Sequence, residues 1–154
     1  MDVINLLHLS SRYELRQWLA ENHDREKCCW VLTYRSKCPE WAAIPYIDVV
    51  EEALCFGWID STLKRLPDGR LAQRLSPRRP KSHWTQLNVD RCMALEDRGL
   101  MTDAGRRAME RGIRGMGLSP SEIGSRTKKQ RGKRLTDRRI KFRSSNHTVA
   151  TPKI

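Results

Sequence analysis

What the chain lacks narrows it first. No apolar run approaches the roughly 20 residues that a membrane-crossing helix needs, so no membrane span is expected. Met-Asp-Val-Ile-Asn at the start has neither the basic nor the apolar region of a secretory signal. Cys28, Cys29, Cys38, Cys55 and Cys92 form an odd set without a Cys-x-x-Cys pair. Neither a disulfide framework nor a thiolate metal site is expected from them. Cys28 and Cys29 are neighbours in a β-like stretch, which sends their side chains to opposite faces. The four histidines have no metal-ligand spacing. No G-x-S-x-G elbow accompanies Ser82 and His83, so a serine hydrolase is not expected. Gly112-Ile-Arg-Gly-Met-Gly117 has three glycines, but no clear strand before it or helix after it, and makes a weak phosphate loop. The expectation is a cytoplasmic protein with reduced thiols used as small core hydrophobes, and with no metal or cofactor.

Acidic residues are also short. The 154 residues carry 30 Lys and Arg against 18 Asp and Glu, a net charge of +12. The imbalance is local: residues 1–117 hold 19 basic and 16 acidic side chains, whereas residues 118–154 hold 11 and 2. The length suits one domain with an appendage. The division expected is a domain over 1–117 and a basic, poorly ordered tail over 118–154, since many like charges and few large apolar residues cannot build a core.

Within the first part, local signals alternate between helix and strand. Val3 to Leu9 is a short apolar stretch suited to an edge strand. Ser11 and Glu14 have the spacing of a capping box ahead of a helix over 12–22, with Trp18 on its buried stripe. Cys28 to Tyr34 reads as a strand. Pro45 opens a helix over 46–56 that places Val50, Ala53 and Leu54 inside and Asp48, Glu51 and Glu52 mainly outside, and Gly57 stops it. Residues 58–65 and 70–75 flank Pro67-Asp68-Gly69 as a hairpin. Ser82 is placed to cap a helix over 83–98 with Trp84, Leu87, Cys92 and Leu95 inward, and Thr102 to cap a last short helix. The fold expected is α+β, a small, mostly antiparallel sheet with packed helices. Trp18, Trp30, Leu32, Val50, Leu54, Phe56 and Leu95 are the expected core.

Chemistry concentrates between Trp58 and Trp84. Lys64, Arg65, Arg70, Arg74, Arg78, Arg79 and Lys81 interleave with aromatics, and arginine forks bind phosphate or carboxylate in a bidentate way. Asp60 shares a strand face with Trp58, and an ionised carboxylate there needs a partner. Arg74 on the returning strand is the candidate. Trp58, Asp60, Arg74, Arg78, Arg79, Lys81, Trp84 and Asn88 therefore make the candidate ligand site, a basic pocket for an anion between the hairpin and Pro77-Arg-Arg-Pro80. Two alternatives stand beside it. One is nucleic-acid binding through the basic loop and the tail residues Lys128, Lys129, Arg131, Lys133, Arg134, Arg138 and Arg139, with steep salt dependence. The other is a small-molecule enzyme using Asp60, for which no second catalytic group is identified. Oligomeric state is not legible.

Trp18-Leu-Ala-Glu-Asn-His23, Glu52-Ala-Leu-Cys-Phe-Gly-Trp-Ile-Asp60, Ala72-Gln-Arg-Leu-Ser-Pro-Arg-Arg-Pro80, Ser82-His-Trp84 with Asn88, and Gly99-Leu-Met-Thr102 with Ala104-Gly105 occur in order. Together, over roughly residues 5–110, they resemble the YdeI/OmpD-associated, or bacteriocin-protection, family. The resemblance implies a small bacterial cytoplasmic α+β protein linked to bacteriocin tolerance or envelope stress, with no settled activity. Family members continue into a helical C-terminal segment, which only Leu118-Ser-Pro-Ser121 and Thr136-Asp-Arg-Arg-Ile140 echo here.

Overall fold

In a computed structural model the described residues are 2–118, and the chain divides after Gly117 into two units. The basic tail and its candidate nucleic-acid residues lie outside the described residues. The first unit has the order β1 (Leu6–Leu7), α1 (Arg12–Asn22), β2 (Cys29–Tyr34), β3 (Ile44–Pro45), α2 (Tyr46–Cys55), β4 (Trp58–Arg65), β5 (Leu71–Pro77), α3 (Gln86–Asp97) and α4 (Asp103–Gly115). It is an α+β fold. The sheet is mixed: β2, β5 and β4 pair antiparallel, while the two-residue β1 and β3 each add to β2 in parallel.

Local chemistry sets most of these boundaries. Ser11 accepts the Glu14 N–H at the start of α1, and the Glu14 carboxylate accepts the Ser10 N–H in return. Gly57, at φ 74°, ends α2 in the left-handed region as its sequence position suggests. Gly69, at φ 90°, closes the hairpin, where Asp68 accepts from the Arg70 N–H and pairs with its guanidinium at 2.7 Å. Arg70 is thereby committed to the turn. Two expectations fail at α3. Thr85, not Ser82, accepts the Asn88 N–H as the cap, so the helix begins at Gln86. Leu87 then falls on the exposed side, and Val89, Cys92 and Leu95 are buried. Two hydroxyls three residues apart can each cap a helix, and local sequence does not choose between them; the buried Trp84 lies just ahead of the one used.

The core has two layers. On one sheet face Trp30, Leu32 and Ala72 meet Ala43 and the half-buried Val3, Leu6, Tyr34 and Leu66. On the other, α2 packs against the sheet and touches α1, α3 and α4. Of the core residues expected, only Trp18 is incompletely buried; its ring meets Trp58 edge-on at 5.9 Å. Glu52 departs from expectation, being 1% exposed where the helical pattern placed it outside. Helix α1 covers that face and supplies two arginines. Arg12 reaches Glu52 at 2.8 Å, Asp48 at 3.1 Å and Glu51 at 3.1 Å, and Arg16 reaches Glu52 at 3.1 Å. Burial alone would lower the Arg12 pKa, but the bonds to Glu52 and Glu51 outweigh it and raise it.

Burial also governs the thiols. It pushes Cys29 and Cys92 up to about 12 and Cys55 to about 11, whereas Cys38 is exposed and Cys28 half-buried. At pH 8 a thiol reagent is expected to label Cys38 quickly, Cys28 more slowly and the other three only on unfolding. More than two fast thiols in the folded protein would contradict this packing. The linkage sign follows from folded values raised above those of unfolded cysteine, roughly 8.5. The contribution of neutral thiols is complete below that value and is lost as pH climbs toward 12.

Candidate functional site

The sequence candidates divide between two faces of the sheet. Asp60 stands opposite Leu75 in the β4–β5 register, and Arg74 stands opposite Trp30 in the β2–β5 register. Because side chains alternate along a strand, Asp60 and Arg74 point to opposite sides. Arg74 instead donates to the Ser61 hydroxyl at 3.1 Å, and Asp60 accepts from the Tyr46 hydroxyl at 2.7 Å. The expected Asp60–Arg74 pair is therefore absent. Tyr46 supplies the partner from the start of α2, and no local pattern in the sequence pointed to it. Burial, followed by this bond to Asp60, raises the Tyr46 hydroxyl above its ordinary value.

Trp58, Asp60, Arg78 and Trp84 do come together, as a buried corner. The Trp58 indole N–H donates to the His23 carbonyl at 3.2 Å. The Arg78 backbone N–H donates to the Gly57 carbonyl at 3.0 Å, and its guanidinium lies 4.1 Å over the Trp84 ring. Arg78 is only 8% exposed, and its Nε and Nη1 have no hydrogen-bond partner among the described residues. Desolvation lowers its pKa, opposed by the charge of Asp60. A guanidinium so covered is a wall of the core, stacked on an aromatic face. Arg79 and Lys81 are exposed, and Asn88 serves the start of α3 through its backbone.

Open space lies at the other end of the sheet. A cavity of about 490 Å³ is bounded by the end of β2, the β2–β3 loop and the β4–β5 turn. Arg35, Lys37 and Arg65 line it together with Glu40, Cys38, Trp41, Tyr34, Pro39, Gly69 and Leu71. No ion pair joins any of the three cations to a carboxylate among the described residues. Arg65 is held by a hydrogen bond to the Gly69 carbonyl at 2.8 Å, and Arg35 lies 4.1 Å over the Tyr46 ring. The contact of its hydroxyl with Cys38 is the main cause that raises Tyr34 above its ordinary value. A second hollow of about 330 Å³ adjoins at Tyr34 and Arg35 and runs to Tyr46.

Arg65 belongs to the basic hairpin recognised in the sequence, but Arg35, Lys37 and Trp41 did not stand out there. Their only signal is two cations and a tryptophan close together in a proline-containing loop. No cluster of His, Cys, Asp and Glu able to hold a metal occurs among the described residues. No described helix is long and apolar enough to cross a membrane.

The chain thus has, over its described residues, an α+β domain with a basic cavity at one end of the sheet. It belongs to the family described as a domain of unknown function (DUF8412), which matches residues 7–108. No curated protein and no solved structure matches the chain.

Proposed function

We propose that this protein is a non-enzymatic binding protein that holds a small anionic ligand in the cavity between the β2–β3 loop and the β4–β5 turn. The observation that carries the reading is the convergence of Arg35, Lys37 and Arg65 on one open cavity without a carboxylate partner among the described residues. Surface cations are ordinarily neutralised by neighbouring carboxylates or dispersed in solvent. Three gathered around a concave site raise the local concentration of an anion and offer it charge-assisted hydrogen bonds. Asp60, the one carboxylate the sequence offered as a catalytic candidate, is tied to Tyr46, which favours binding over catalysis at that residue. The same reading includes kinship with the YdeI/OmpD-associated proteins, and with it a cytoplasmic role in bacteriocin tolerance or envelope stress. That kinship rests on the motifs between Trp18 and Gly105.

Calorimetric titration with inorganic phosphate and with citrate tests the site. Binding is expected to weaken as salt is raised and to fall at least tenfold in Lys37→Ala/Arg65→Ala. Arg79→Ala/Lys81→Ala, which removes two exposed cations outside the cavity, should leave it unchanged. Equal loss in both double variants would reduce the effect to general surface charge and overturn the proposal.

A further inference from the structure

We propose that the ligand is a phosphate monoester carrying a flat ring, of mononucleotide size; this rests on the cavity being the anion site. Trp41 is the first reason. Trp30, Trp58 and Trp84 are buried and Trp18 half-buried, but Trp41 lines the cavity with 43% of its surface exposed. An indole left partly open beside cations offers a face on which a base or other flat ring stacks. The cations give the second reason. Arg35, Lys37 and Arg65 against Glu40 leave two positive charges in the lining. A phosphate monoester carries roughly −1.5 to −2 at neutral pH and so matches that excess better than a single carboxylate does. The two guanidiniums reach the cavity from separate segments, the β2–β3 loop and the end of β4, so they can grip different phosphate oxygens.

Glu40 fits the same ligand. A carboxylate lining an anion site repels the phosphate unless it lies beside another part of the molecule, and the hydroxyls of a sugar are donors that it can accept. The volume, about 490 Å³, lies within the roughly 300–1,000 Å³ of sites that enclose compact organic ligands. A bare phosphate would leave most of it to water, and a polymer would have to leave through its open side.

The test titrates the full chain with adenosine 5′-monophosphate, ribose 5-phosphate and adenosine, following both heat and tryptophan fluorescence. The monophosphate is expected to bind at least tenfold more tightly than ribose 5-phosphate and to quench fluorescence, with adenosine weaker than either. Trp41→Ala should erase the advantage of the ring while leaving ribose 5-phosphate affinity within about twofold. Lys37→Ala/Arg65→Ala should weaken both phosphates. If ribose 5-phosphate binds as well as the monophosphate, ring recognition is wrong and the anion site stands. If neither phosphate nor citrate binds, the anion site falls as well. An oligonucleotide whose affinity climbs steadily with length would overturn the small ligand in favour of single-stranded nucleic acid.

Discussion

Gly105→Ala is expected to lower stability by about 2–4 kcal/mol, against the usual gain from replacing a helical glycine. In an unconstrained helix the added methyl would favour folding by roughly 0.5–1 kcal/mol. Here a Cβ would lie 2.3 Å from the Cys55 carbonyl oxygen, 2.8 Å from its carbon and 2.9 Å from the Leu54 oxygen. These are backbone atoms at the end of α2, and no rotamer change moves them. Helix α4 would have to withdraw, weakening the bonds that the Thr102 N–H and hydroxyl donate to the Cys55 carbonyl. Gly115→Ala in the same helix is the control, because nothing lies within 4 Å of its added Cβ. Denaturant unfolding should place the two variants on opposite sides of the wild type or nearly so. If both behave alike, α4 does not sit against α2 in this way.

Glu52→Ala should cost about 2–3 kcal/mol. Removing one member of a fully buried ion pair costs roughly 3–5 kcal/mol, because the remaining charge is left without compensation. Arg12 and Arg16 are 19% and 28% exposed, and Arg12 retains Asp48 and Glu51, which reduces the figure. Glu52→Gln keeps the shape and one acceptor oxygen and should lose about half as much. A cycle with Arg16→Ala isolates the coupling, expected to exceed about 1 kcal/mol. A loss below about 0.5 kcal/mol in Glu52→Ala would place the carboxylate in water instead of between α1 and α2.

The two substitutions sample one arrangement. Helix α2 is enclosed by α1 on its acidic side and by α4 at its end, with the sheet beneath. In that sheet, Thr33 pairs with Leu71 and Leu71 with Arg65, so the turn around Gly69 lies beside the β2–β3 loop and the two bound the cavity. Arg35, Lys37, Trp41 and Arg65 are exposed, so substituting them removes no core side chain.

Sequence alone placed the helices over 12–22 and 46–56 and the strand over 28–34, each within a residue of the observed ends, and the hairpin around Asp68-Gly69, because each carries a local cause. A capping serine, a proline at a helix entrance, a stop glycine and alternation along a strand act over a few residues and need no distant partner. The buried identity of Trp30, Leu32, Val50 and Leu54 followed from the same patterns. Only the tertiary structure decided that Asp60 bonds Tyr46 and not Arg74, since register fixes which face a strand residue takes. It likewise turned Glu52 inward, because α1 brings arginines across the acidic face. The candidate cavity was the least legible feature. Arg35, Lys37 and Trp41 lie about thirty residues from Arg65, and no local pattern encodes the closure of a loop against a distant turn.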